Sequence, residues 1–260
     1  MKFLIGSDPE LFLMKDGKFV SAHGVIAGDK ANPFRVDRGA VQVDGMAVEF
    51  NTDPAGTEGE FLTNVQVVMR TLEAMCKGYD VVAVPVADFG AEYIAAQPDE
   101  AKELGCDPDY NAYTGLENVK PDVSLPFRTA SGHVHIGWGE DIPDDLQHRA
   151  TCEAVSRQMD FFLGLPSLFY DSDTRRREMY GKAGAFRPKP YGVEYRTLSN
   201  AWLKSEDLIK WVFRNAQRGV MELMEGNDLF ARFGDIQEII NTSNKKEAER
   251  IIVAAGLEVI

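Results

Sequence analysis

The chain has few cysteines, and their spacing excludes two common kinds of small site. Its 260 residues include three cysteines, Cys76, Cys106 and Cys152, which lie far apart in the sequence. They lack the paired spacing of a zinc knuckle, and an odd number of them argues against a disulfide framework. We therefore expect reduced thiols with structural roles.

Long apolar runs are also missing. No run is long enough to span a bilayer, and the N-terminus reaches Asp8 and Glu10 before the apolar core of a signal peptide is complete. The sequence therefore predicts no membrane partner and a cytoplasmic location. With 44% hydrophobic residues the chain can still bury a large core, so we expect a single domain over residues 1–260.

Positive charge is scarce as well. A formal net charge of −13 disfavours nonspecific binding to nucleic acid. The exception is the stretch 171–196, which has seven basic and four acidic side chains. Such a stretch favours a small polyanionic ligand, although a solvated charged loop has the same composition.

Motifs for several enzyme classes are absent. The sequence has no Walker loop, no dinucleotide-binding glycine motif and no serine or cysteine in an elbow motif. A nucleotide, if one binds, must then be held by a sheet.

Two turn signals near the N-terminus predict hairpins. A turn at Asp16-Gly17 would place Glu10 opposite His23. A turn at Asp44-Gly45 would pair Val43 with Met46 and put three polar residues on the opposite face of the hairpin. These polar residues are Gln42, Glu49 and Asn51. A slip of one residue would invert the faces.

The rest of the chain predicts helices around buried strands. Helices are expected over 57–77, 144–164, 205–226 and 243–255, and a buried strand over 81–89. Residues 91–127 lose periodicity and predict a long ordered loop, a kind of segment that often lines sites. This mixture predicts an α+β fold, with helices packed on one face of a largely antiparallel sheet.

The most informative pattern is a pair of polar side chains two residues apart, repeated in three predicted strands. The pairs are Asp8 and Glu10, His133 and His135, and Glu194 and Arg196. Because a strand sends residues i and i+2 to the same face, each pair should project together. A face of acids, imidazoles and a guanidinium predicts a site for divalent metal and phosphate.

The acids favour one class of metal. A single histidine is more often structural than a ligand, and a His-x-His pair also suits zinc. Four candidate oxygen ligands, Asp8, Glu10, Glu49 and Glu194, are more than one tetrahedral zinc requires and favour magnesium or manganese.

Arg196 supplies the matching phosphate group, because guanidinium binds phosphate oxygens in a planar fork and keeps its charge. Other basic residues of the same stretch are further candidates for cofactor binding. They are Arg175, Arg177, Lys182 and Arg187.

These motifs, taken in order, resemble a known family. SGHVHIG resembles the Ser-Gly-x-His-x-His strand of glutamine synthetase, and VEYR followed by Asn200 resembles its Glu-x-Arg strand. GSDPELFL resembles the Glu-x-Glu opening of glutamate–cysteine ligases, with Asp8 as the departure. The whole set, with AHG, VQVDGMAVEFN and YGKAGAFRPKPYGVEYRTLSN, is similar to the phage-associated COOH-NH2 ligase type 2 amidoligases from Gly6 to about Leu203.

The resemblance implies a glutamine-synthetase-like catalytic domain that uses ATP and Mg2+ or Mn2+. A small-molecule or peptide carboxylate would be phosphorylated and then attacked by an amine donor. The resemblance assigns metal-ligand roles to Glu10, Glu49, His133 and Glu194, less directly to Asp8 and His135, and the phosphate role to Arg196. With the candidates above, the expected catalytic residues are Glu49, Arg187 and Arg196.

Other readings remain open from the sequence. A metal-dependent hydrolase would also use the histidines and acids, and a catalytically inactive phage binding or structural protein would keep the fold. For the acceptor pocket, the candidates are the loop 105–121 with Tyr110 and Tyr113, and Arg128. The substrates and the oligomeric state are not fixed by the sequence.

Overall fold

The computed structural model describes residues 3–102, 108–120, 122 and 124–260. These residues form a mixed α+β structure. The strands are β1 (Leu4–Ser7), β2 (Glu10–Lys15), β3 (Lys18–Val20), β4 (Phe34–Val36), β5 (Gly39–Asp44), β6 (Ala47–Thr52), β7 (Asp80–Val82), β8 (Val86–Asp88), β9 (Tyr110–Asn111), β10 (Phe127–Thr129), β11 (Val134–Gly137), β12 (Ala185–Lys189) and β13 (Gly192–Tyr195).

Helices follow each block of strands. They are α1 (Glu58–Met75), α2 (Ala91–Ala95), α3 (Asp99–Lys102), α4 (Leu146–Met159), α5 (Leu165–Tyr170), α6 (Arg175–Met179), α7 (Glu206–Met224), α8 (Leu229–Phe233), α9 (Gln237–Asn241) and α10 (Lys245–Ala255). A π-helical turn, Asp160–Gly164, joins α4 to α5, and a 3-10 helix covers Asn200–Lys204. None of these helices, in the part of the chain described, is long and apolar enough to cross a membrane.

The described strands pair in three sheets instead of the one that was predicted. A five-stranded sheet has the order β1-β11-β13-β12-β9, and a six-stranded sheet has the order β3-β2-β6-β5-β4 with β7 also paired to β2. Strands β8 and β10 form a separate pair. All the strand pairings found between described strands are antiparallel, which confirms the predicted α+β class.

The first hairpin follows the predicted turn but is shorter than expected. Strand β3 ends at Val20, and His23 lies in an exposed turn, so the predicted pairing of Glu10 with His23 is wrong. Glu10 is opposite Glu49 of β6 instead. The start of β2 takes β6 as its neighbour, and this leaves no place for β3 beside Glu10.

The second hairpin turns one residue later than predicted. Its turn residues are Gly45 and Met46, so Val43 pairs with Val48 and not with Met46. This moves the register by two residues. Because side chains alternate with a period of two, the faces are unchanged, and Gln42 lies directly opposite Glu49 as part of one polar face.

Helix α1 begins with a capping box formed by Thr57 and Glu60. The Glu60 amide donates to Thr57 Oγ1 at 3.2 Å, and the Glu60 carboxylate accepts from the Gly56 amide at 2.9 Å. This satisfies two of the amide groups at the helix start. The apolar side of α1 is buried and packs with α7 beneath the sheets; its residues are Phe61, Val65, Val68 and Leu72.

The other predicted elements need smaller corrections. Residues 81–89 form two short strands because Pro85, which has no amide hydrogen, lies between them. The predicted loop 91–127 contains α2, α3 and β9. Cys76 and Cys152 are buried free thiols, whereas Cys106 lies outside the described residues. That the chain forms a single domain stays a prediction.

Candidate active site

The five-stranded sheet separates an apolar face from a polar one. Val134 and Ile136 of β11 point into the core beneath the sheet. His135 therefore points to the other face, where its neighbours across the sheet are Gly6 of β1 and Glu194 of β13. Arg187 of β12 is opposite Glu194, so a row of polar side chains runs across the three strands β11, β13 and β12.

A second row of acids comes from the six-stranded sheet. Glu10 of β2 is opposite Glu49 of β6, and Gln42 of β5 donates to Glu49 Oε2 at 3.0 Å. The two sheets meet at Ser131. Its amide donates to Glu10 Oε2 at 2.7 Å, and the Glu10 amide donates to its carbonyl at 2.9 Å.

The two rows bring five of the six predicted metal ligands into two groups. Each group offers three ligand atoms within 4.8 Å of one another. We call Asp8, His135 and Glu194 the histidine group, and Glu10, Asp44 and Glu49 the acid group. The sixth prediction, His133, lies beside the histidine group, with Nδ1 3.3 Å from Asp8 Oδ1 and 3.3 Å from Glu194 Oε1.

Asp44 was missed as a ligand because it had been assigned to the turn. It is the last residue of β5 and shares the face of Gln42, two residues before it. The i, i+2 rule that found the other ligands therefore also applied to this residue.

The histidine group has the buried polar atoms that a cation requires. Asp8 Oδ1, His133 Nε2 and His135 Nε2 are buried and have no hydrogen-bond partner among the described residues. His135 Nε2 lies 3.1 Å from Asp8 Oδ1, while its Nδ1 bonds the Tyr191 hydroxyl. Opposed acceptors of this kind are costly to bury unless a proton or a cation lies between them. Carboxylate oxygens with one imidazole fit Mg2+ or Mn2+.

The charges in this group are coupled to one another. Burial opposes ionisation of Asp8, but His135 and His133 outweigh it and hold the pKa of Asp8 well below its usual range. Burial also opposes charge on His135, yet Asp8 raises its pKa. In contrast, burial and the nearby Arg196 lower the pKa of His133 to about 4. A neutral His133 is a competent metal ligand.

The acid group has the opposite problem, because its three carboxylates lie close together and burial opposes their charge. Burial and Asp44 raise the pKa of Glu10 to about 7. Burial, Asp8 and Asp44 raise the pKa of Glu49 well above its usual range. Without a cation, this group holds a proton near neutral pH, and a divalent cation would replace that proton.

Cationic side chains converge instead on Glu194, which is fully buried. Lys189 Nζ lies 2.8 Å and an Arg187 nitrogen 3.3 Å from Glu194 Oε2, and Arg196 donates to Glu194 Oε1. The predicted Arg187 and Arg196 are thus brought together. Lys189 was missed, although it follows Arg187 by two residues on the same strand face.

Two of the predicted phosphate-binding arginines lie elsewhere. Arg177 is buried against Asp171 at 3.1 Å. Arg175 pairs with Asp173 at 2.9 Å and with Asp88 at 3.1 Å. Neither contributes to the three described cavities below, so the structure does not bring them to the acids. A charge run in a sequence does not show which of its members are neutralised by neighbours.

Two cavities border the ligand groups, and a third lies beside Arg196. The polar cavity, of about 220 Å³, lies against the acid group and is also lined by Arg128, Arg187, Lys189 and Arg196. The aromatic cavity, of about 930 Å³, is lined by Trp138 and Tyr191. The polar and aromatic cavities share Asp8, Gln42 and Glu49 as a common wall.

The third cavity, which we call the loop cavity, measures about 480 Å³ and lies under residues 108–120. It is lined by the predicted Lys182, and it shares Tyr180 and Arg196 with the polar cavity. Arg128, a candidate for the acceptor pocket, lines the polar cavity, and its role there stays a prediction.

The two tyrosines of that prediction are used for packing. The Tyr113 hydroxyl donates to the buried Asp160 at 2.9 Å, and Tyr110 lies under the Arg149 guanidinium. Residues 105–107 and 121 of the predicted loop lie outside the described residues.

A family model matches the C-terminal half of the site. Residues 124–247 match the model of the family described as Phage phiEco32-like COOH.NH2 ligase-type 2. The matched region contains His133, His135, Glu194 and Arg196, whereas Asp8, Glu10 and Glu49 precede it. The match supports the resemblance of the ordered motifs to this family. No curated protein matches the chain.

Proposed function

We propose that this chain, a member of the phage phiEco32-like COOH.NH2 ligase-type 2 family, joins a carboxylate to an amine at the expense of ATP. The carboxylate would first be phosphorylated to an acyl phosphate. The observation that carries the proposal is the wall of Asp8, Gln42 and Glu49, which separates a large cavity from a small polar one.

The aromatic and polar cavities differ in size and lining, and these differences support a different substrate for each cavity. The aromatic cavity has the volume for a nucleotide and offers the ring faces of Trp138 and Tyr191. The polar cavity is smaller and presents Arg128 and Arg196, which suit a carboxylate. A γ-phosphate placed at the shared wall would lie beside the carboxylate that receives it.

Both ligand groups fit Mg2+ or Mn2+. The histidine group, with His133 beside it, and the acid group would each hold a cation. Such cations, when bound, neutralise charge on the phosphate oxygens.

The basic side chains around Glu194 act on the transferring phosphoryl group. Arg196, Arg187 and Lys189 are held in place by one buried carboxylate, so they need little reorganisation when negative charge reaches them. A carboxylate oxygen attacks the γ-phosphorus, the bond to the bridging oxygen breaks, and ADP leaves. The amine then attacks the acyl carbon, and inorganic phosphate leaves with the bonding electron pair.

The test is ADP release that requires both a carboxylate and an amine. We would screen amino acids, polyamines and short peptides in the presence of Mg2+. Glu49→Gln should abolish the dependent release, whereas Glu73→Gln, on the exposed side of α1, should leave it unchanged. Hydrolysis that needs no amine would favour a metal-dependent hydrolase. If no combination of carboxylate and amine causes ADP release, the result would favour a binding or structural protein.

A further inference from the structure

The loop cavity adjoins the polar cavity but shares no described lining residue with the aromatic cavity. Its inner end is formed by Arg196 and Tyr180, which are also part of the polar cavity. The Arg196 guanidinium packs 5.4 Å from the centre of the Tyr180 ring. A molecule in the loop cavity would therefore meet the polar cavity across one guanidinium and one ring.

Asp109 lines the loop cavity and lies next to Arg196. Arg196 Nε donates to Asp109 Oδ2 at 3.0 Å, while another nitrogen of the same guanidinium donates to Glu194. The Asp109 side chain is 13% exposed. Arg196 thus separates a carboxylate of the predicted metal site from one that belongs to neither ligand group.

The segment that bears Asp109 is fixed by the hydrogen bonds of its backbone. The Asn118 amide donates to the Asp109 carbonyl at 2.8 Å, and Arg187 Nε donates to the Pro108 carbonyl at 3.3 Å. The backbone at Pro108 and Asp109 is therefore held by contacts that do not involve the Asp109 carboxylate, whereas the contact of Asp109 with Arg196 does.

The size of the loop cavity favours a nucleophile larger than ammonia. A water-sized molecule such as ammonia occupies about 30 Å³ of liquid volume, against about 480 Å³ for this cavity. The outer lining includes Leu116, whose surface is 68% exposed, and Glu117. The lining also contains Lys120 and Lys182. Its carboxylates and apolar side chains nevertheless leave a space that fits an amine carried on an organic chain; they are those of Asp109, Glu117, Asp122, Leu116 and Val119.

We propose that the loop cavity binds the amine substrate as an organic primary amine, not as ammonia, and that Asp109 is its general base. This inference rests on the proposed ligase function. The amine enters as an ammonium ion and passes one proton to the Asp109 carboxylate. Its nitrogen lone pair then forms the bond to the acyl carbon, the carbon–oxygen bond to phosphate breaks, and the phosphate takes the electron pair and the second proton from the nitrogen.

The experiment compares two nucleophiles on the same acyl phosphate. Hydroxylamine is unprotonated near neutral pH and needs no base, so hydroxamate formation reports the acyl phosphate alone. Asp109→Asn should lower kcat/KM for an organic amine by about 100-fold or more, the usual size of general-base catalysis. Hydroxamate formation should stay within about threefold of the wild-type rate. Asp109→Glu should restore part of the amine reaction, and the control Glu73→Gln, on the exposed side of α1 and outside the three cavities, should change neither reaction.

A structural role would give a different result. If Asp109 only orients Arg196, Asp109→Asn will lower hydroxamate formation and amide formation by the same factor, and the inference is overturned. Absence of hydroxamate with every carboxylate, in the wild-type protein, would instead refute the ligase function on which the inference rests.

The substrate class has its own test. Putrescine, glycinamide and N-acetyl-lysine amide would be compared with ammonium chloride at equal concentrations. We expect at least one organic amine to give a higher kcat/KM than ammonium. The proposal would be contradicted if ammonium gave the highest kcat/KM. It would also be contradicted if the protein formed hydroxamate but turned over none of the organic amines.

Discussion

The two ligand groups are built from similar acids but are compensated in different ways. Glu194 of the histidine group has Lys189, Arg187 and Arg196 around it, and Asp8 lies against two imidazoles. In the acid group, Glu49 accepts from the neutral Gln42 and Glu10 accepts from the Ser131 amide.

This difference separates two tasks. The histidine group is charged and arranged before any ligand arrives, so it can stabilise phosphate without further reorganisation. The acid group stays strained by its own charge until a proton or a cation neutralises it. The predictions below test this contrast, beginning with the largest expected effect.

Removing the carboxylate charge should affect the two groups in opposite directions. Glu194→Gln leaves buried cations uncompensated and should lower the free energy of unfolding by about 3–5 kcal/mol. Glu49→Gln relieves repulsion among neighbouring acids and should leave that free energy unchanged or higher. Urea denaturation without divalent cations measures both. Equal losses in the two variants would show that the groups are not compensated differently.

The acid group should also make stability depend on pH. The pKa of Glu10 is about 7 in the folded protein, above the ordinary value of 4.5. The folded state therefore binds more protons than the unfolded state between these values, and stability should fall as pH rises through this window, by about 2–3 kcal/mol at most. Urea denaturation from pH 4 to 8 without divalent cations measures the fall.

Glu10→Gln provides the check on this assignment. It should flatten the pH dependence, and Mn2+ should restore stability to the wild-type protein at pH 7. A wild-type curve that stays flat from pH 4.5 to 7 would contradict the raised pKa of Glu10.

Arg196→Lys keeps the charge beside Glu194 but removes the planar fork. Turnover should fall by about 100-fold, because a lysine cannot bind phosphate oxygens in the same bidentate way. The melting temperature should change little. Arg149→Lys is the matched control, since Arg149 makes a bidentate pair with Asp144 on the surface. A collapse in thermal stability with Arg196→Lys would instead make Arg196 a structural ion-pair residue.

The smallest expected effect concerns the support of His135. Tyr191→Phe removes the hydroxyl that bonds His135 Nδ1 and should weaken Mn2+ binding at the histidine group by about tenfold. Binding at the acid group should not change. Titration calorimetry with Mn2+ would show one weakened site out of two. Equal weakening of both sites, or of neither, would exclude a specific role for Tyr191.

Much of this site was predictable because strand geometry repeats every two residues. The three i, i+2 pairs placed His135, Glu194 and Arg196 correctly, and a two-residue register error at Met46 left the faces unchanged. The same rule would have found Asp44 and Lys189.

Other features depend on how distant segments pack. The sequence does not show that Glu10 pairs with Glu49 instead of with His23, since this depends on which strand neighbours β2. Nor does it show that Arg177 is neutralised by Asp171 while Arg187 turns towards Glu194. Asp109 had no periodic signal, because it lies in an irregular segment that meets Arg196 only in the folded protein.

The central claim is that a carboxylate is activated as an acyl phosphate, and oxygen isotopes test it most directly. With a productive pair of substrates, a carboxylate labelled with oxygen-18 should pass one labelled oxygen to inorganic phosphate. That oxygen bridges carbon and phosphorus until the amine displaces it. Mass spectrometry of the released phosphate measures the transfer. Unlabelled phosphate, or AMP and pyrophosphate as products, would contradict the account.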